Sequence, residues 1–379
     1  MSAPPAILQA AGAPQNAKLF GVESGVRLLT NTVCQRFESY AFTSPNIFIE
    51  KHTGGGIGML KKALAAFVAV ILMLGLAACG TQEEEPYEEI PAANIEEQDA
   101  ANMRDTVLYL EDDYGYIVPV MKQIEWVEGI GAATVSELIA DSNTDAQLEY
   151  LGLNPILAEG TELSLAIKDG VATVALSKGA LAADDAVSEM NKVVALVNTL
   201  TEFPTIDSVI VKQEGVKEAL PNGTDISAAF GTFDLNVTTT LSEEDLKNAS
   251  RLLLYFQNAS ETAIVPVTKY VGGKADAFAA MNELIKGPGE GGLKSPFPKG
   301  TELLGVTVDD NGVASINFSK EFSQVSETPE REKALLRCIV LTLMQFDNID
   351  EARILVDGKE YSSTSQTTMA TPEFVNTLE

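Results

Sequence analysis

The sequence is short of the residues from which most active sites are assembled. Its 379 residues include one histidine, His52, one tryptophan, Trp126, and three cysteines, Cys34, Cys79 and Cys338. No histidine follows residue 52, so a nucleophile paired with an imidazole base cannot be built downstream of it. Three cysteines so far apart supply neither a disulfide framework nor a cysteine-rich zinc cluster. Positive charge is scarce as well: 26 Lys and Arg stand against 54 Asp and Glu, a net charge of −28. No broad basic face is available for a phosphate backbone, and nucleic acid is excluded as an expected partner. The chain is therefore read as a non-enzyme, with no catalytic residue, no cofactor and no metal site.

What is present is an ordinary globular composition, 45% hydrophobic and 21% charged, with length for two domains. Cys338 lies in the apolar run 334–341 and reads as a small buried thiol in a helix core. Trp126 follows a β-rich run and is expected in the core, the alternative being an exposed anchor for a partner. The carboxylate pairs Asp112-Asp113, Asp184-Asp185 and Asp309-Asp310 are weak signals in so acidic a chain. The last of them opens Asp309-Asp310-Asn311-Gly312, which is flanked by strands rather than the helices of a calcium loop, and is read as a turn. The glycine-rich loop 287–292 follows a helix and carries Glu290, so it reads as a connection rather than a phosphate cradle.

Residues 59–78 have the order of a secretory signal: Lys61-Lys62, then an apolar stretch from Ala63 to Ala78, then small residues. Sixteen apolar residues fall short of the roughly 20 that span a bilayer as a helix. Leu76-Ala77-Ala78-Cys79 resembles the lipobox of bacterial lipoproteins at all four positions, and that resemblance implies cleavage before Cys79 and diacylglycerol (palmitate-type acyl chains) on its sulfur. Residues 1–58 lack periodicity and read as an upstream stretch ahead of a start at Met59, the alternative being a 58-residue arm before an internal signal anchor. Removing the six basic and three acidic residues of 1–78 leaves 20 and 51, a net charge of −31. Residues 79–105, rich in Glu and Pro from Glu83 to Glu97, read as an acidic tether.

Beyond residue 105 the sequence repeats itself at an offset of 140–147. Val107 to Leu110 with Ile117 to Val120 corresponds to Leu252 to Tyr255 with Ile264 to Val267. Ser136 to Ile139 corresponds to Asn282 to Ile285, Gly160 to Leu163 to Gly300 to Leu303, Asp169 to Ala172 to Asn311 to Ala314, and Phe203 with Asp207 to Phe346 with Asp350. Within each unit the pattern runs hairpin, helix, hairpin, long amphipathic helix, strand. Asp169-Gly170 and Asn311-Gly312 supply the positive φ of a tight hairpin turn. Thr328 reads as a helix N-cap with Pro329 at the first helical position. The fold class expected is α+β: two tandem ββαββαβ sandwich domains, 106–216 and 251–361, with helices packed on a mostly antiparallel sheet. Residues 217–250 read as a linker and 362–379 as a C-terminal tail.

The segment from Val306 to Ser319, with Phe322, Thr342 to Phe346 and Val356-Asp357-Gly358, resembles the GerM family of spore-forming bacteria, and the likeness extends over 106–358. The first copy keeps the hairpin and Leu220-Pro221-Asn222-Gly223-Thr224, while its central loop, Asp141 to Glu159, lacks the Gly/Pro-rich sequence of 286–289. The resemblance implies tandem GerMN domains in a membrane-anchored sporulation and germination lipoprotein, exported to the space between mother cell and forespore. There it would act as an assembly module, with envelope and sporulation-channel proteins as partners and peptidoglycan as a further one. GerMN domains are also similar to ring-building modules of secretion machines. The alternative kept from the residues alone is a ligand- or peptidoglycan-binding envelope lipoprotein, or a hydrolase using a carboxylate pair, unrelated to sporulation.

Overall fold

The computed structural model describes residues 102–141, 146–242, 244–289, 291–363, 369 and 371–378. Cys79, the signal segment 59–78 and nearly all of the tether lie outside the described residues. The first copy opens with a long hairpin, β1 (Met103–Asp112) and β2 (Ile117–Glu125), so strand begins three residues inside the stretch read as tether. Alternation along β1 places Leu108 and Leu110 in the core. The turn is built by Asp112, whose Oδ1 accepts from the backbone N–H of Tyr114 and Tyr116, with Gly115 at φ +83°. Helix α1 (Ile130–Ser136) is shorter than the apolar spacing predicts. The central loop folds into α2 (Ala146–Leu151) and β3 (Leu153–Asn154), which adds to β1.

A second sheet follows, β4 (Leu163–Lys168), β5 (Val171–Leu176) and β6 (Ser208–Gln213), with β4–β5 antiparallel and β5–β6 parallel. Helix α3 (Ala186–Thr201) makes the crossover; Asp185 caps it by accepting from Val187 N and Ser188 N. Val193, Leu196, Val197 and Leu200, at helical spacing, are fully buried against both sheets. The second copy repeats the plan with β8 (Ala249–Gln257), β9 (Ile264–Gly272), α4 (Ala277–Lys286), β10 (Leu303–Val308), β11 (Val313–Phe318), α5 (Pro329–Leu343) and β12 (Glu351–Val356). A 3₁₀ stretch at Lys320–Glu327 precedes α5, and β13 (Lys359–Glu360) pairs with β12. The α+β fold expected from the sequence is the one observed.

The structure shifts two details of the repeat. Tyr109 faces Pro119 and Tyr255 faces Pro266, so the first strands match at an offset of 146, one more than the side-by-side reading of Leu252 to Tyr255 implies. A one-residue slip exchanges the two faces of a strand, which is why the register matters. The second hairpins also differ: Asp169 (φ +52°) and Gly170 (φ +77°) form a tight two-residue turn, whereas at 309–312 only Gly312 is left-handed. There Asp309 Oδ1 accepts from Asn311 N and Val313 N, repeating the Asp112 turn rather than the Asp169 turn.

Described residues within the stretches read as linker and tail are packed against the two copies. Leu220, Ile226 and Leu235 lie in the first copy's hydrophobic core. Strand β7 (Thr238–Thr239) pairs in parallel with Lys269 and Tyr270 of β9, and Thr377 forms a parallel bridge with Met121 of β2. Each copy's trailing segment thus adds to the other copy's hairpin. Ala263, Val265 and Leu378 are members of the first copy's core, which the second copy therefore helps to complete, while the second copy's own core runs from Leu252 to Ile354. Asn258 donates from Nδ2 to the carbonyl of Leu151, and Tyr114 lies over Gly292, where an added Cβ would come within 2.5 Å of its ring.

Candidate interaction surfaces

Trp126 is exposed over 55% of its surface rather than buried in the core. Its backbone N–H donates to Asn102 O at 2.6 Å, continuing the register of β1 and β2 by one residue, so the ring shares the face of Arg104 but lies beyond Ile124, the last buried residue of the strand. The Arg104 guanidinium lies 5.7 Å from the Trp126 ring centre and 5.4 Å from that of Phe203, an aromatic pair engaging one cation. Met103 and Val127, each 40% exposed, extend the apolar surface. Beside them opens a cleft of about 160 Å³ lined by Arg104, Thr106, Val107, Glu202, Phe203 and Phe374. Beneath it, Tyr109 donates to Glu202 Oε1 at 2.6 Å. Burial first, then the charge of Glu202, pushes the Tyr109 hydroxyl well above its ordinary range. Burial raises the Glu202 carboxyl too, with the Tyr109 hydrogen bond working against it.

The second copy has glycine, Gly272 and Gly273, where the first has the end of β2 and Trp126. Its surface there is polar: Lys269 pairs with Glu283 at 2.6 Å, Lys286 pairs with the same carboxylate, and with Thr240, Leu241 and Tyr270 they line a cleft of about 390 Å³. The Glu283 carboxyl sits below its ordinary range; desolvation, the largest single effect, raises it, and the two lysines together more than offset that. Lys122 and Glu137, 2.8 Å apart, are the equivalent pair in the first copy. A further surface is shared by both copies. Strands β4 and β10 each form one side of their sheet, leaving Ile167 48% and Leu304 49% exposed.

The residues weighed for chemistry resolve into structural roles. Asp112 and Asp309 are turn residues and Asp185 is a helix cap. Cys338 is fully buried in α5, as its apolar run implies, and burial pushes its thiol up to about 12. Among the described residues, no three His, Cys, Asp or Glu side chains are grouped to hold a metal ion, and no helix is long and apolar enough to cross a membrane.

Two interlocked copies of one α+β unit, with an exposed tryptophan on one of them, define a tandem-domain protein. A family model described as "Germane: Sporulation and spore germination" matches residues 107–219 and again 253–362, and the chain belongs to that family. It is 27% identical over 281 residues to the spore germination protein GerM of Bacillus subtilis (strain 168), across 72% of this chain and 76% of that protein. The solved tandem GerMN domains of the sporulation protein GerM from Bacillus subtilis share the fold, with a TM-score of 0.57 and 26% identity, covering 73% of this chain and 100% of that one. The family resemblance read from the hairpin at 306–319 is borne out.

Proposed function

We propose that this protein is a lipid-anchored sporulation component that acts as an assembly module, holding envelope proteins together in the space between mother cell and forespore, and that it works by binding rather than turnover. The observation that carries the reading is the exposed Trp126 ring over the Arg104 guanidinium, which also meets Phe203. Tryptophan and arginine are the residues that most often dominate binding energy at protein interfaces. Family membership and the likeness to a spore germination protein support the sporulation setting. Leu76-Ala77-Ala78-Cys79 supports anchoring through acylated Cys79, and the acidic stretch after it supports a spacer that holds the folded part off an anionic membrane. A protein held at the membrane meets its partners at raised effective concentration, so moderate contacts suffice.

The test is made in sporulating cells with Trp126→Ala and Arg104→Ala in the full chain. Losing a contact of about 2 kcal/mol weakens partner capture roughly 30-fold, so crosslinked partner and spore yield should fall while the purified variants keep their Tm. Undiminished partner capture and spore yield in both variants would overturn the assembly reading, as would glycan turnover by the purified protein. Cys79→Ser should abolish fatty-acid labelling, and unchanged labelling would overturn the anchor.

A further inference from the structure

The two hairpins meet edge to edge at a position where neither can supply a β-ladder. On the outward edge of β2 the backbone groups of Ile117, Pro119 and Met121 face the second copy; on β9 the corresponding residues, 147 further on, are Ile264, Pro266 and Thr268. Proline has no N–H, so at the centre of this meeting both edges offer carbonyl oxygens with no donor to match them. Two asparagine side chains fill the deficit. Asn236 Oδ1 accepts from Ile117 N at 2.9 Å, and its Nδ2 donates to Ile117 O at 2.8 Å and to Pro266 O at 2.7 Å. Asn376 Oδ1 accepts from Ile264 N at 2.8 Å, and its Nδ2 donates to Ile264 O at 2.7 Å and to Pro119 O at 2.9 Å. Each carboxamide grips the isoleucine of its own copy through both backbone groups and reaches the proline carbonyl of the other. The two sets are related by exchange of the copies, as residues across a twofold interface are.

We infer that the cleft between the two hairpin edges is a built binding site for an extended peptide carrying asparagine, filled in this chain by its own residues 374–378, and that Asn376 and Asn236 are paired clamps that fix one copy to the other. A carboxamide is the side chain with one acceptor and two donors on a single planar group, which is what one N–H and two carbonyls require. Around Asn376 the recognition is that of an added strand. Met121 N donates to Asn376 O at 2.8 Å, Leu378 N donates to Met121 O at 2.8 Å, and Leu378 is seated in the first copy's core. On the other side Arg337 Nη2 donates to Phe374 O at 2.5 Å. Asn236 takes a left-handed φ of +51°, a conformation asparagine tolerates better than most residues.

The first experiment deletes residues 371–379 from the otherwise full chain and adds back a synthetic peptide of that sequence. The truncated chain should lose thermal stability, and the peptide should bind saturably and restore it, while a peptide with Asn376→Ala should not. A truncated chain with unchanged Tm that takes up no peptide would overturn the proposal. A second experiment on the intact chain decides the matter if the truncation fails to fold. Asn376→Ala removes three buried hydrogen bonds of about 1 kcal/mol each, so amide exchange at Ile264 in the second copy and Met121 in the first should accelerate together, on the order of 100-fold. Asn376→Asp keeps the acceptor but sets a carboxylate against two carbonyl oxygens, so it should lower Tm at neutral pH at least as much as alanine does. Unchanged protection at Met121 and Ile264, or an aspartate variant as stable as the parent, would overturn the clamp.

Discussion

Replacing Gly170 with alanine tests whether the tight turn between β4 and β5 carries the contact its geometry implies. Gly170 has φ +77°, and a Cβ there would lie 2.3 Å from Asp207 Oδ2 and 3.2 Å from its Cγ. Gly160 is the internal reference, with φ +73° and nothing within 4 Å of an added Cβ. Gly160→Ala should therefore cost only the left-handed backbone penalty, roughly 1–2 kcal/mol. Gly170→Ala bears the same penalty and must also drive the exposed Asp207 carboxylate out of its rotamer, adding about 1 kcal/mol. At this size 1 kcal/mol moves Tm by roughly 2–4 °C, so calorimetry separates the two variants. The excess should vanish in an Asp207→Ala background, giving a coupling of about 1 kcal/mol in the double-mutant cycle. Gly312, φ +78° with Asp350 Oδ2 at 2.5 Å from the added Cβ, should behave the same way in the second copy. If Gly170→Ala costs no more than Gly160→Ala in either background, the contact is not tight and the reasoning is wrong.

Three other outcomes can be measured on the purified chain. Buried Glu189 accepts from Asn222 N at 2.8 Å and Thr224 N at 2.9 Å, so Glu189→Gln, which sets an amide donor against one of those N–H groups, should lower stability by about 1–3 kcal/mol in urea melts. The Glu283 carboxyl is held below its ordinary 4.5 despite desolvation, because Lys269 and Lys286 favour its charge. A lowered value in the folded state means stability present above pH 4.5 and lost as pH falls through the folded value. The stability gap between parent and Glu283→Gln should then stay flat near neutrality and close in acid; a gap that widens in acid would contradict the sign. Cys338, its thiol pushed up to about 12 by burial, should resist thiol reagents at neutral pH in the folded protein and react on unfolding, as read by mass spectrometry.

The elements that alternate or repeat at helical spacing were legible in the sequence, because burial of one face imposes those periods whatever surrounds them. Helices α3 and α5 begin after Asp185 and Thr328; Asp185 caps through its side chain, whereas Thr328 makes no side-chain cap and the start of α5 is set by Pro329. Trp126 keeps the face its strand pattern predicts but lies past the last buried residue, Ile124, so its ring meets Arg104 instead of the core, and a strand pattern does not show where the core ends. The stretches 217–250 and 362–379 read as linker and tail because they are polar and aperiodic. They pack mainly through backbone groups and single side chains such as Asn236, Asn376 and Leu378, which leave no period to detect. One signal was available: Leu235-Asn236 and Val375-Asn376 recur 140 residues apart, inside the offset of the repeat. The surface cluster around Trp126 had no comparable trace, since the second copy has glycine there.

The placement of Leu378 in the first copy's core sets an order of events for the newly made chain. Asn376 and Pro119, hydrogen-bonded in the folded protein, stand 257 residues apart in sequence. A polypeptide emerges amino end first, from the ribosome or on the far side of a membrane it is exported across, and domains ordinarily fold as they appear. Here the first copy, although it emerges first, lacks the strand at Thr377 and the Leu378 plug until those residues have followed. Closing so long a loop is slow relative to local folding, so the early half waits in an unfinished state with its β2 edge uncovered. That waiting period is when the chain is most open to pairing with a stranger, and a carrier protein that shields β2 until residues 377 and 378 arrive would raise the yield of the native form.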